Sequence, residues 1–173
     1  VRAHALPLPH NTVYDDLLDM LRALDGIAQD PRYHPEGDAL YHSLQVFSHA
    51  RRETQDPELL AAALLHDVGK ALRAPEHDTD GADLLEGLVS NRVVWLVRHH
   101  LDLLRAPGQT RRRYRGTAQL SDLEQLRRWD LAGRSPTAPV CSPEEAVHTL
   151  LHELELQRAD APKTHHESED RFR

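Results

Sequence analysis

Apolar residues along this chain recur at intervals of three and four, and no run of alternating β-branched residues interrupts them, so the pattern predicts an all-α fold. A first helix starts near Asn11 or Thr12, carries Val13, Leu17, Leu18, Leu21 and Leu24 on one face, and stops at Asp25-Gly26. Two prolines and a glycine make residues 29–37 a loop. A second helix covers about residues 38–52, with Leu40, Leu44 and Phe47 turned inward and His42 upon it. The third starts with Asp56 as N-cap, Pro57 at the first helical position and Glu58 in the first turn. It runs through an apolar stretch to His66, and Gly69 ends it. Further helices are predicted over residues 79–89, 91–101, 121–132 and 142–157. Ser121 with Glu124 forms a capping box for one of them, and Ser142-Pro143-Glu144-Glu145 starts the last. The arginine-rich stretch 105–116, which contains Pro107 and Gly108, reads as a surface loop. Periodicity fades after residue 157, which gives one compact domain of about six to seven helices over residues 1–157 and a disordered polar tail over residues 158–173.

Composition sharpens this picture in three places. A length of 173 residues suits one core, and no stretch approaches the roughly 20 apolar residues that cross a bilayer. The basic-then-apolar order of a secretory signal is absent from the first residues. Because the first residue is Val, room is left for an upstream segment or domain. With 21 basic and 28 acidic side chains the net charge is -7, which disfavours wrapping duplex nucleic acid. The single Cys141 excludes disulfide stapling and a thiolate zinc site, and a reducing cytoplasm is the expected location. Histidine is the outlier. There are 13, and only His165 and His166 fall in the tail.

Several of these histidines sit on apolar helix faces. His66 lies three, four and seven residues beyond Ala63, Ala62 and Leu59, which puts it on the inward stripe, with Asp67 beside it. Asp130 follows Leu126 and Leu123 by four and seven residues, so it too faces inward, where a carboxylate requires a cation. The cation is a metal, or an arginine among Arg127, Arg128 and Arg134. His42, His77, His99 and His100 supply further imidazoles. Neutral imidazole with carboxylate suits zinc, iron, manganese, cobalt or nickel. Each histidine taken alone is more often an ordinary surface or core residue than a ligand, and His4, His10, His49, His148 and His152 stay with that reading.

The combination resembles a known family. Leu64-Leu65-His66-Asp67-Val68-Gly69-Lys70, preceded by Tyr41-His42-Ser43-Leu44 and followed by Asp130, looks like the H…HD…D signature of HD-domain metal-dependent phosphohydrolases, over about residues 11–133. The resemblance implies an all-helical fold in which His42, His66, Asp67 and Asp130 are the core ligands, while Lys70 contacts a substrate phosphate. His34-Pro35-Glu36-Gly37-Asp38, His77 with Gly81-Ala82, and Asp130-Leu131-Ala132-Gly133-Arg134 are similar to the HD domain attached to some bacterial CCA-adding tRNA nucleotidyltransferases. Related domains occur in RNA end-healing enzymes. His77, His99 and His100 look like the extra ligands of binuclear members. No Gly-Tyr-Pro element of cyclic-di-GMP phosphodiesterases is present, nor any P-loop.

The expected activity is therefore metal-dependent hydrolysis of a phosphate ester on a nucleotide or RNA end, with 2′,3′-cyclic phosphate or 2′-phosphate as the sharpest form. One or two divalent ions activate the water and Asp67 ligates while orienting it. Lys70 holds the phosphate, with Arg134 or an arginine of residues 111–115. His34 is either a leaving-group acid, or substrate contact, or a helix-capping residue. With two ions, Asp67 bridges and His77, His99 and His100 complete the second; with one, those three histidines serve the surroundings or the substrate. Alternatives are a nucleoside 5′-monophosphatase or (p)ppGpp-type hydrolase, and a noncatalytic helical module that binds tRNA or a partner protein.

Overall fold

The computed structural model describes residues 12–73 and 75–160. Among these it contains nine α-helices and one 3-10 turn, with a single isolated bridge, Ala28 to Asp38, in place of any strand. The helices are α1 (Val13–Arg22), α2 (Ala39–Glu53), α3 (Pro57–Leu65), α4 (His77–Leu85), α5 (Asn91–His99), α6 (Asp102–Arg105), α7 (Pro107–Arg113), α8 (Ala118–Ala132) and α9 (Pro143–Asp160); the 3-10 turn Val68–Leu72 lies between α3 and α4. No described helix is long and apolar enough to cross a membrane.

The third helix is the axis of the molecule. Every residue of Pro57–Leu65 except Glu58 is buried, because α2, α5, α8 and α9 pack around it. A helix enclosed on all sides needs no polar face, which explains its unbroken Leu and Ala. Its start is as predicted: the Asp56 carboxylate accepts hydrogen bonds from the backbone N–H groups of Glu58 and Leu59. His66 is its C-cap, so the HD pair stands at the negative end of the helix dipole, where positive charge is favoured.

Two glycines set how closely elements approach the site. A Cβ at Gly69 would lie 2.0 Å from the His77 carbonyl oxygen and 2.6 Å from the Gly81 nitrogen. Gly69 therefore does not end a helix as expected; it sits inside the 3-10 turn and lets α4 rest directly on it. A Cβ at Gly133 would lie 2.6 Å from Val46 Cγ2, so the end of α8 reaches α2 only without a side chain. Gln45 ties the same junction, donating to Ser135 O and accepting from Ser135 N.

Four boundary expectations change, the first being the helix expected over residues 79–89, which is α4 at His77–Leu85. Residues 105–116 are not a loop: they hold the end of α6 and all of α7, because Pro107 occupies a first-turn position, where proline starts a helix, and arginine is a good helix former. These short helices raise the number above six or seven. Helix α8 starts at Ala118 with Thr117 as its cap, and Ser121 lies inside it, since a cap four residues upstream pre-empts the Ser121-Glu124 pair. Helix α9 starts as predicted on Ser142 but continues through residues 158–160 of the expected tail. The rest of that tail, like Asn11 and the segment before it, lies outside the described residues.

Candidate metal centre

The HD pair at the end of α3 is met by α2, α4, α5 and α8, each contributing one side chain. Asp67 is at the centre and is 2% exposed. Its Oδ2 lies 3.3 Å from His66 Nε2 and 3.8 Å from His42 Nε2; its Oδ1 lies 3.3 Å from His77 Nε2 and 3.7 Å from His100 Nε2. Asp130 Oδ1 is 3.1 Å from His42 Nε2 and closes the first side. Three groups with metal-ligand spacing result among the described residues; two share Asp67, His42 with His66 and Asp67 and His77 with His100 and Asp67, and the third is His34 with Glu36 and His42.

The imidazoles are oriented from behind. His66 Nδ1 faces Ala63 O at 3.0 Å, His100 Nδ1 faces Val97 O at 2.6 Å, and His42 Nδ1 faces both Gly133 O at 2.9 Å and Glu36 Oε1 at 2.8 Å. An oxygen acceptor at Nδ1 places the ring proton there and leaves the Nε2 lone pair free. All four Nε2 atoms, on His42, His66, His77 and His100, are buried without a hydrogen-bond partner. Four converging imidazole nitrogens around a carboxylate fit a divalent cation, and the nitrogen and oxygen donor set suits a transition metal.

The electrostatics agree. Burial holds the His66 ring below the ordinary histidine range. Burial also disfavours charge on His42, but the Asp130 and Glu36 carboxylates against its ring, with the nearby Asp67 charge, outweigh this and raise it to about 9. Burial alone would raise Asp67 and Asp130, yet both are lowered: Asp67 chiefly by His66 and Lys70, Asp130 chiefly by His42. The two carboxylates thus remain anionic and demand a cation between them and His42 Nε2, whether proton or metal.

A cavity of about 1030 Å³ opens over the cluster, lined by His34, Lys70, Arg73, Arg127 and Arg134 among others. Lys70 Nζ lies 2.6 Å from Asp67 Oδ2 and 2.5 Å from Gln29 Oε1. Arg127 Nη1 lies 2.6 Å from Asp130 Oδ2, and Arg134 reaches Asp130 Oδ1 at 3.5 Å and Tyr33 O at 2.9 Å. Arg111, Arg112 and Arg113 of α7 and Arg115 in the turn after it are not in this lining; Arg111 pairs with Glu124 and Arg113 lies over Tyr114. Of the two expected sources of phosphate contacts, the structure brings Arg134 to the cavity and not the residue 111–115 stretch.

His99 is a correction. It joins none of these ligand groups: its Nδ1 lies 2.8 Å from Asp102 Oδ2, and its ring packs 4.6 Å from Trp95. Neighbouring residues on a helix point about 100° apart, so only one of the pair can face the cluster. His100 takes the buried side.

Glu36 was missed as a site residue. Its side chain is fully buried, and Oε1 lies 2.8 Å from the Nδ1 atoms of both His34 and His42. The His34 contact is a hydrogen bond, while His42 Nδ1 is hydrogen-bonded to Gly133 O and has Glu36 beside it as an ion-pair contact, so Glu36 orients the two rings from behind. The His34-x-Glu36 spacing was visible, but a loop with two prolines and a glycine gave no sign that its carboxylate would be buried.

Known proteins bear on this geometry. The family model described as HD domain matches residues 39–136, more than half of the chain. Similar proteins include the "Multifunctional CCA protein" of Methylococcus capsulatus, 48% identical over 60 residues, and that of Hahella chejuensis, 37% identical over 93 residues. The same name is carried by a relative from Halorhodospira halophila, 43% identical over 74 residues. The matches cover 35%, 50% and 39% of this chain but only 14%, 20% and 18% of those relatives.

Proposed function

This chain belongs to the HD domain family of metal-dependent phosphohydrolases, and we propose that it hydrolyses a phosphate ester at an RNA end or on a nucleotide, with a 2′,3′-cyclic phosphate or a 2′-phosphate as substrate. The observation that carries the reading is Asp67, whose two oxygens each face two buried imidazole nitrogens that make no hydrogen bond, one of them shared with Asp130. The relatives' name and the resemblance of the motifs to CCA-adding tRNA nucleotidyltransferases support RNA-end chemistry.

His42, His66, Asp67 and Asp130 would hold one ion, and His77, His100 and the other oxygen of Asp67 a second. Bound there, such ions supply Lewis-acid activation of water and charge neutralisation at phosphorus. The chain's own groups do the rest. Asp67, fixed in the interior, orients the attacking water as an acceptor. Lys70 and Arg134 face the cavity and hold the nonbridging oxygens, a point charge and a planar fork respectively. Glu36 accepts the Nδ1 proton of His34 and so directs its Nε2 to the substrate. The buried walls of His66 and His100 keep bulk water from the reacting side.

The test is metal analysis of untagged protein, followed by assay of 2′,3′-cyclic, 2′- and 5′-phosphate nucleotides with several divalent ions. Hydrolysis of the first two ahead of the 5′-monophosphate supports the proposal. Preference for the 5′-monophosphate points to a nucleotidase, and metal binding without turnover of any ester to a noncatalytic module.

A further inference from the structure

Four cations line the cavity over the cluster, and three are engaged. Lys70 is held by Asp67 and Gln29, Arg127 by Asp130, and Arg134 by Asp130 and the Tyr33 carbonyl. Arg73 is the fourth. Among the described residues its guanidinium has no carboxylate or carbonyl partner. Its backbone is also unusual: at φ 54 and ψ 24 it is the non-glycine residue at positive φ among those described.

A left-handed conformation costs an ordinary L residue roughly 1–2 kcal/mol, and glycine or asparagine is the common occupant at such a cap. Glycine would end the 3-10 turn with less strain. A long cation at this position gains the fold nothing through contacts of its own, and strained backbone of this kind gathers at ligand sites. The turn that Arg73 ends begins directly after the HD pair, so its side chain is offered to the same cavity.

The size of the cavity adds a second argument. At about 1030 Å³ it is at the upper end for small-molecule sites, far beyond the needs of one phosphate group. Its remaining walls include Ile27, Leu101, Leu104 and Tyr33; Leu104 and Tyr33 are 56% and 61% exposed. Apolar and aromatic surfaces of this sort suit a sugar and base lying between two anionic ends.

We propose that Arg73 binds a second phosphate of the substrate, one that is not hydrolysed, so that the site takes the terminal nucleotide of an RNA chain rather than a lone mononucleotide. In such an end the reacting phosphate is on the 2′ oxygen and the chain continues through a phosphate on the 5′ oxygen. The inference rests on the phosphohydrolase reading above and extends it to substrate choice.

The experiment compares adenosine 2′-monophosphate with adenosine 2′,5′-bisphosphate, which differ by that one group. Calorimetry on the full chain with divalent ions chelated gives affinities without turnover, and steady-state rates are then measured with ions present. Wild type is expected to bind the bisphosphate about tenfold tighter or more. Arg73→Gly and Arg73→Asn, both of which tolerate the backbone conformation, lose most of that difference, while the Tm of Arg73→Gly does not fall. Equal affinity for the two nucleotides in wild type overturns the proposal. So does a preference that survives in both variants, or a lowered Tm with equal loss on both nucleotides. Failure of wild type to hydrolyse either nucleotide would count against the phosphohydrolase reading alone, since the binding difference still decides the role of Arg73.

Discussion

Two clusters of charged residues bind the helices of this protein together, and only one is chemically open. On the side where α3, α5 and α8 begin or meet, Arg92 lies 2.8 Å from Asp56, 3.0 Å from Glu58 and 2.9 Å from Asp122. Four side chains from three segments satisfy one another, and the guanidinium holds its proton more firmly for it. At the other end of α3, Asp67 gathers four imidazoles and Lys70, yet the four imidazole nitrogens facing it end in no hydrogen bond. Convergence of charge thus marks a junction; unspent donor atoms at the convergence mark a site.

The sharpest way to break this comparison is to remove the centre of each cluster. Asp67→Ala or His66→Ala is expected to abolish both phosphate release and metal retention, measured by product assay and metal analysis on folded protein. Full activity in either variant would sink the assignment. Next in size is the second ion. His100→Ala should lower the metal-to-protein ratio from about two toward one, whereas His99→Ala should leave it at about two, because its ring faces Trp95. A ratio near one in wild type would show that His77 and His100 serve the substrate instead.

Lys70→Ala should keep its metal but lose kcat by about a hundredfold, the scale of a single transition-state contact. Metal loss in the folded variant would move Lys70 from the phosphate to the maintenance of Asp67. The smallest effect belongs to the closed cluster. Arg92→Met should cost about 1–2 kcal/mol in denaturant unfolding, discounted because the side chain is 35% exposed, and leave metal content as it was.

Much of the site was legible because its ligands obey helical phase. His66 and Asp130 follow the apolar stripe, and their burial is what the spacing requires. The phase of the His99-His100 pair was legible as well: His100 follows Val93, Leu96 and Val97 by seven, four and three residues, all buried, while His99 follows Trp95 by four. Glu36 and Arg73 were not. Each lies in a turn, where no periodicity reports direction, and the role of each depends on groups that arrive from elsewhere in the fold. The helix α7 escaped for a different reason, since Pro107 was read as a breaker when its position made it a starter.

The contact between Gly69 and the start of α4 gives the site a silent member. Methyl substitution there would force the His77 carbonyl back by about an ångström or more from the 2.0 Å that its Cβ would meet, and the His77 ring must travel with it. A saturation screen scored on activity alone would therefore rank Gly69 among the ligands, although it offers no donor atom. Scored on abundance, the same screen would separate it from them only if the displaced helix still closed over the core. What such a map would register at this position is the clearance between two backbones rather than the chemistry of a side chain.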